Sequence, residues 1–336
     1  MVITQTPYRM SFFGGGTDYP PFFQEYGGSV ISTTFDKYCY VTARHLPQFF
    51  DYRNQITYRK IERTNCIEDI EHPAVHNAMK MLNMYDMHLA HESDLPSRSG
   101  LGSSSAFAAG MIEAFYALKG KHIGKYELAQ KSIYLERTLC NEKGGWQDQI
   151  AVAYGGLNRI DFKDNNFYVN PIVISNERKE LLDNHLMLFF TGFSRMSSDI
   201  ADLQIKATND KTRELKEMLA LVDDAEQVLT SKCDILEFGR MLDYTWSLKR
   251  GLTEKTSNST IDNIYRRAKN AGAIGGKLMG AGGGGFFIIF AEPDKQEKIK
   301  EELRDLLHVP FQFTNEGTRI LYYVPEYYNI PETKEK

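Results

Sequence analysis

Hydrophobic positions along the chain follow two grammars. Segments 2–10 and 29–44 are rich in β-branched and aromatic residues, and the glycines Gly14, Gly15 and Gly16 interrupt them, so both read as extended strands of a sheet that opens the fold. Helical spacing takes over at 73–87. It returns at 106–115, a helix that follows a Gly/Ser loop and stops near Gly120, and again at 126–139. A turn at Gly144 and Gly145 leads into a segment through Gln149, and strand-like pieces follow Gly155 and Gly156, punctuated by the polar stretch 161–166.

From about residue 175 the balance shifts towards helices. A strand over 185–190 precedes long amphipathic helices over 211–229, 235–248 and 259–270. The glycine run 280–285 then enters a buried strand over 286–290. A charged helix over 294–307, a last strand over 319–324 and a charged tail after Ile330 complete the chain. Strands and helices in this arrangement predict an α+β fold, not a doubly wound sheet. At 336 residues the chain exceeds one compact core, so two domains with a cleft between them are expected. No repeat or low-complexity segment is present.

Composition narrows the classes of function. Forty Lys and Arg against forty-four Asp and Glu give a net charge of -4, which supplies no global field for nucleic acid or an anionic membrane. Cys39, Cys66, Cys140 and Cys233 are far apart, form no CxxC pair and read as reduced core thiols. The start of the chain has no basic head and no apolar stretch of signal length, and no run approaches a membrane span, so a cytoplasmic protein is expected. The pairs His72 with His76 and His88 with His91 find no third and fourth ligand, and the aromatic residues lack an interleaved basic stripe.

The most informative stretch is 96–106, which reads PSRSGLGSSSA and runs into a helix. Glycines let successive amides converge on an anion, and the helix start adds unpaired donors and the positive end of its dipole. A triphosphate suits such a loop, and serine hydroxyls can complete the oxygen shell of Mg²⁺. The Gly-Lys-Ser/Thr ending of a Walker A loop and the third glycine of GxGxxG are both missing. Two further glycine segments stand at 7–19 and 277–285.

In this order the three segments resemble those of the GHMP kinases, the family of galactokinase, homoserine kinase and mevalonate kinase, and the resemblance covers most of the chain. It implies a two-domain α+β architecture, with an ATP-binding domain like the second domain of ribosomal S5 over 1–172 and a ferredoxin-like domain over 173–330. It implies that Gly100, Leu101, Gly102, Ser103, Ser104 and Ser105 wrap the ATP phosphates and that Gly282 and Gly283 line the nucleotide site. Ser104 and Glu136 would hold Mg²⁺, Asp148 would accept the proton of the attacking hydroxyl, and Arg9 would offset charge on the transferring group. Gly15, Gly16, Thr17 and Asp18 would meet a sugar.

Within the family, the spellings GGGTD at 14–18, 96–106 and GFSRMSS at 192–198 are most similar to those of the branch that phosphorylates the anomeric hydroxyl of D-glycero-D-manno-heptose 7-phosphate. A sugar that carries its own phosphate needs cations, and Arg195 is the first candidate, ahead of Arg98 and Lys143. The partners expected are therefore ATP and a small sugar phosphate, with no nucleic acid and no membrane. Helix faces in the second unit leave room for a homodimer. An anomeric kinase of a neutral sugar such as L-fucose or galactose, or a sugar and ATP sensor without catalysis, stand as alternatives.

Overall fold

The computed structural model describes residues 1–97, 99–192, 197–208 and 210–326. The first sheet is built on two long strands, β1 (Val2–Phe13) and β2 (Gly28–His45), which pair antiparallel and are separated by the short helix α1 (Pro20–Tyr26). The hairpin β3 (Asn54–Thr57) and β4 (Ile61–Thr64), helix α2 (Pro73–Met81) and β5 (Met87–Ser93) follow. The expected helix over 73–87 therefore ends early. Asn83 and Asp86 take positive φ values of 48° and 54°, which stops helical winding and lets β5 begin.

The next helices are α3 (Ser103–Leu118) and α4 (Lys125–Ile133), and the chain then widens into a π-helical turn, Tyr134–Leu139, where the Cys140 amide reaches back to the Leu135 carbonyl. Helix α5 (Gln147–Tyr154) leads to a hairpin of β6 (Asn158–Lys163) and β7 (Asn166–Pro171), turned by Asp164 and Asn165 at φ 53° and 55°. Helix α3 presses on β1 and β2 at Gly110, where a Cβ would come within 3.0 Å of the Thr6 hydroxyl.

The second half begins with α6 (Asn176–Asn184), β8 (Leu186–Phe190), α7 (Ser197–Lys206), α8 (Thr212–Thr230), α9 (Leu236–Arg250) and α10 (Ser259–Ala271). It continues through β9 (Gly275–Leu278), β10 (Phe286–Phe290), α11 (Pro293–Glu302) and the short β11 (Leu307–His308). These strands form a four-stranded antiparallel sheet in the order β11-β8-β10-β9. The chain then returns to the first sheet, where β12 (Phe313–Thr314) pairs with β2 and β13 (Arg319–Tyr323) pairs with β1. Mixed helices and sheets of this kind agree with the α+β class.

Strand β10 explains how the two sheets share a core. Phe286, Ile288 and Phe290 point into the large cluster that includes Phe12, Phe13 and Phe238, while Phe287 and Ile289 point into a second cluster with Trp246, Tyr265 and Ile299. Both faces of the strand are buried, which is why its sequence is apolar without alternation. Phe238 of α9 meets Phe12 and Phe13 of β1 edge-on at 5.3 and 5.0 Å. Of the four cysteines, Cys39 is buried and Cys140 half-buried, but Cys66 and Cys233 are exposed, so the expectation of four core thiols is corrected. Both lie in turns beside short polar segments, where the backbone runs at the surface. No helix among the described residues is long and apolar enough to cross a membrane.

Candidate active site

The Gly/Ser loop ends at Gly102, which has φ +79° and caps α3 without a side chain, so no cap side chain closes the N-terminus of this 16-residue helix. Ser103 is the first residue of that helix and Ser104 is exposed on its first turn. Leu101 is fully buried, and its carbonyl accepts from the Arg9 amide at 3.1 Å, which ties the loop to β1. The Arg9 guanidinium does more. It donates to both oxygens of Asp148, Nε to Oδ1 at 2.8 Å and Nη2 to Oδ2 at 2.7 Å, and through Nη1 to the Gly100 carbonyl at 2.7 Å. Arg9 is 3% exposed and Asp148 25%, so the arginine forms the floor and the carboxylate the open face.

Glu136 stands on the π-helical turn and is buried. One of its oxygens accepts from the Ser104 hydroxyl, and the other accepts from Ser105 at 2.6 Å and from the Gln149 amide. Ser105, expected at the ATP phosphates, therefore has its hydroxyl inside the protein, locking Glu136 against α3. Ser104 alone of the pair faces outward, and Glu142 lies 3.5 Å from its hydroxyl. The widened turn is what carries Glu136 to α3, a common use of π-helical geometry at functional sites.

The turn after β1 is closed by Asp18. Its Oδ1 accepts from the Gly16 amide at 2.9 Å and its Oδ2 from the Gln147 amide at 3.2 Å, while its own carbonyl accepts from Trp146. Asp18 is buried, and burial raises its pKa, with the Asp148 charge adding to the rise. A Cβ on Gly145 would overlap the Asp18 carboxylate, so this glycine is required for the approach. Thr17 corrects another expectation. It is fully buried, its hydroxyl lies against the Gly14 carbonyl at 2.8 Å and the Ser29 carbonyl at 2.9 Å, and it braces the turn from behind. Gly16 lies under Leu215 of α8, and Gly15 is the partly exposed member of the turn.

The third glycine segment packs backbone against backbone. A Cβ on Gly280 would sit 2.5 Å from the Gly100 Cα, and one on Gly285 would overlap the Ser99 carbonyl. Gly282 and Gly283, expected at the nucleotide, instead face Thr256, whose carbonyl accepts from the Gly283 amide at 3.0 Å. Gln204 of α7 joins this run to the first turn, accepting from the Tyr19 hydroxyl at 2.9 Å and donating to the Ala281 carbonyl at 2.9 Å.

Two buried lysines went unnoticed in the sequence. Lys277 of β9 donates to the carbonyls of Ser11 and Phe12 at 3.0 and 2.8 Å, where the β1–β2 register shifts. Lys249 at the end of α9 donates to Leu278 at 3.0 Å and to Gly280. Burial pushes the Lys249 ammonium down to about 7 and lowers Lys277 as well. Arg137 was also missed. Its Nε donates to the Gly145 carbonyl at 3.0 Å, and the guanidinium lies over Gly144. Of the cations expected at a remote phosphate, Lys143 is exposed and bonds Asn141, and Arg98 and Arg195 lie outside the described residues. His72 and His91 both pack on the Phe107 ring.

The site thus gathers a glycine-rich loop at a helix N-terminus, a serine hydroxyl in contact with a carboxylate, and a second carboxylate held by an arginine. Comparison with known proteins identifies the family. Residues 69–156 match the GHMP kinases N terminal domain and residues 225–309 the GHMP kinases C terminal domain. The chain is 31% identical over 333 residues to the D-glycero-alpha-D-manno-heptose 7-phosphate kinase of Campylobacter jejuni, covering 94% of this chain and 97% of that protein. The fold superposes on a D-glycero-D-manno-heptose 1-phosphate kinase from Bacteroides thetaiotaomicron with a TM-score of 0.79 at 24% identity, covering 96% and 100% of the two chains. It also superposes on Lactococcus lactis galactokinase with a TM-score of 0.73 at 16% identity, covering 95% and 94%. Motifs, geometry and likeness over nearly the whole length converge: the chain belongs to the GHMP kinases, ATP-dependent phosphotransferases with an alcohol acceptor, and is a sugar kinase among them.

Proposed function

We propose that the chain transfers the γ-phosphoryl group of ATP to the anomeric hydroxyl of D-glycero-D-manno-heptose 7-phosphate, giving ADP and the 1,7-bisphosphate. The anomeric oxygen forms a bond to the γ-phosphorus, the bond from that phosphorus to the β,γ-bridging oxygen breaks, and the hydroxyl proton passes to Asp148. The observation that carries the reading is the Arg9 guanidinium, which touches the Gly100 carbonyl and both Asp148 oxygens at once. Donor loop and proton acceptor are thereby fixed to one rigid plane, and each Asp148 oxygen keeps an acceptor position for a hydroxyl. The heptose assignment draws on the 31% identical relative and on the motif spellings.

Ser104 and Glu136 fit Mg²⁺, because the exposed Ser104 hydroxyl and the buried carboxylate it touches are the hard oxygen donors this ion takes. When bound, the ion neutralises charge on the β- and γ-phosphate oxygens. Ser105 and Gln149 hold Glu136 in place from the protein side. Arg195 is the cation assigned to the 7-phosphate.

Coupled ADP release with Mg²⁺-ATP tests the substrate, using heptose 7-phosphate, the unphosphorylated heptose, L-fucose and galactose as acceptors. Activity confined to the phosphorylated heptose is expected, with the acceptor KM raised in Arg195→Ala. Equal or better turnover of a neutral sugar overturns the heptose assignment.

A further inference from the structure

Gln204 of α7 is buried, and its side-chain amide joins three segments that are far apart in the chain. Its oxygen accepts from the Tyr19 hydroxyl at 2.9 Å, while its nitrogen donates to the Ala281 carbonyl at 2.9 Å and to the Thr256 hydroxyl at 3.3 Å. A carbonyl only accepts, so Ala281 fixes which end of the amide faces it, and the phenol must then donate to the other end. Burial raises the Tyr19 pKa, with the Asp18 and Asp148 charges adding to the rise, so the phenol keeps the proton it donates. Both N–H groups of the amide are taken inside the protein, which leaves Gln204 to act on its neighbours.

Those neighbours belong to opposite halves of the site. Tyr19 directly follows Asp18, and its carbonyl starts α1 by accepting from the Phe22 and Phe23 amides at 2.9 and 3.1 Å. Ala281 directly follows Gly280, which lies on the Gly100 backbone, and the far end of the same run, Gly285, lies on Ser99. Thr256 closes the run from its other side, where its carbonyl accepts from the Gly283 amide at 3.0 Å. Backbone packed on backbone has little room to yield, so an ordered run orders the Gly/Ser loop. Contacts therefore pass from the turn that holds Asp18, through Tyr19, Gln204 and Ala281, to the loop at Gly100.

We propose that Gln204 is a positioning residue that couples acceptor binding beside Asp18 to nucleotide binding at the Gly/Ser loop, so that each substrate tightens the other. The inference rests on the sugar-kinase reading of this site and adds a coupling that phosphoryl transfer by itself does not require. Coupling needs a contact whose two ends respond to different ligands. Tyr19 is ordered by whatever meets Asp18, and Ala281 by whatever fills the loop. A rigid amide bonded to both hands the order of one segment to the other, and the second ligand then loses less conformational entropy on binding.

Calorimetric titration of a non-hydrolysable ATP analogue with Mg²⁺, run with and without saturating heptose 7-phosphate, gives the coupling as a ratio of two dissociation constants. The parent is expected to show a ratio of about fivefold or more, and the reverse titration must return the same value. Gln204→Met keeps the bulk and removes the amide, and Tyr19→Phe removes one hydroxyl. Each is expected to bring the ratio within about twofold of unity, and the double variant to change it no further. A brace without coupling would lower the melting temperature, or weaken both ligands, and leave the ratio at the parent value. That result overturns the proposal, as does a parent ratio within about twofold of unity. Tyr19→Phe keeps the ring and its packing, so it decides the outcome if Gln204→Met does not fold. If ADP release shows L-fucose or galactose as the acceptor and not heptose 7-phosphate, the heptose reading fails, and the ratio measured with that sugar decides the coupling.

Discussion

Arg9 and the two lysines Lys249 and Lys277 are all basic, all buried and all in one site, yet the protein holds them in opposite ways. Arg9 faces a carboxylate and shares two hydrogen bonds with it, in a planar fork that also reaches the phosphate loop. The lysines meet only carbonyls, those of Ser11 and Phe12 for Lys277 and those of Leu278 and Gly280 for Lys249. Both lysine ammonium groups are penalised by burial, and Asp18 offsets this in both, with Asp148 helping at Lys249. The difference separates chemistry from bracing. Under the proposed function Arg9 acts on the reacting groups through Asp148, whereas the lysines close off backbone carbonyls at a strand irregularity and at a glycine turn, joining the second sheet to the first.

Asp148→Asn breaks the chemical side of this contrast. It keeps the shape of the side chain and removes the proton acceptor, so kcat is expected to fall by roughly 10³-fold, within the range for loss of a general base. Nucleotide affinity, followed by calorimetry, should stay close to that of the parent, because the loop retains its Arg9 contact to Gly100. A variant within about tenfold of the parent in kcat would take the proton-acceptor role from Asp148.

Lys277→Met probes the bracing side and should act more gently. Two carbonyls lose their donor, while an amine whose charged form burial penalises gives way to an apolar side chain, so the stability terms oppose each other. The expected effect is on position: the strand that carries Arg9 and Ser11 loosens at its register shift, and kcat/KM for the acceptor falls by about tenfold with little change in the urea midpoint. A full loss of turnover in a folded variant would move Lys277 from brace to chemistry and erase the contrast.

The same contrast governs what could be read from the chain. Gly100 and Ser104 stand in a Gly/Ser loop whose composition suits a phosphate, Arg9, Glu136, Asp18 and Asp148 are legible only through the resemblance to the GHMP kinases, and the structure brings Arg9 to Asp148 and Ser104 to Glu136. Lys277 and Lys249 sit in otherwise ordinary stretches, one amid glycines and one at the end of an amphipathic helix, and only tertiary packing puts carbonyls around them. Thr17 and Ser105 show the converse: both lie inside motifs, but their hydroxyls hold the motif's own framework. A serine two residues from another points elsewhere on a helix, so Ser103, Ser104 and Ser105 could not share one role. Among the elements, α6 and the β3–β4 hairpin escaped notice because their apolar positions are few, and the early end of α2 depends on positive φ values at Asn83 and Asp86 that spacing does not reveal.

The last expected effect is the most specific to a lysine without a paired carboxylate. With its pKa near 7 in the folded chain and 10.5 as the ordinary value, Lys249 carries a proton in both states below pH 7 and in neither above pH 10.5. Between those limits the unfolded chain binds a proton that the folded chain does not, so this residue makes stability rise with pH, by on the order of 1 kcal/mol per pH unit. The penalty of burying the charged form is thus complete below pH 7 and fades above it. Arg9 faces the same ammonium and favours its loss of the proton, while Asp18 and Asp148 oppose it. Urea unfolding of the parent and of Lys249→Met from pH 6.5 to 9.5 (about the window set by these values) should give curves whose gap is widest and constant below pH 7 and narrows as pH rises, because the methionine carries no charge to bury. Parallel curves would mean that Lys249 keeps its proton throughout, held by Asp18 and Asp148 in the way that Arg9 is held, and the two kinds of basic group would then be one.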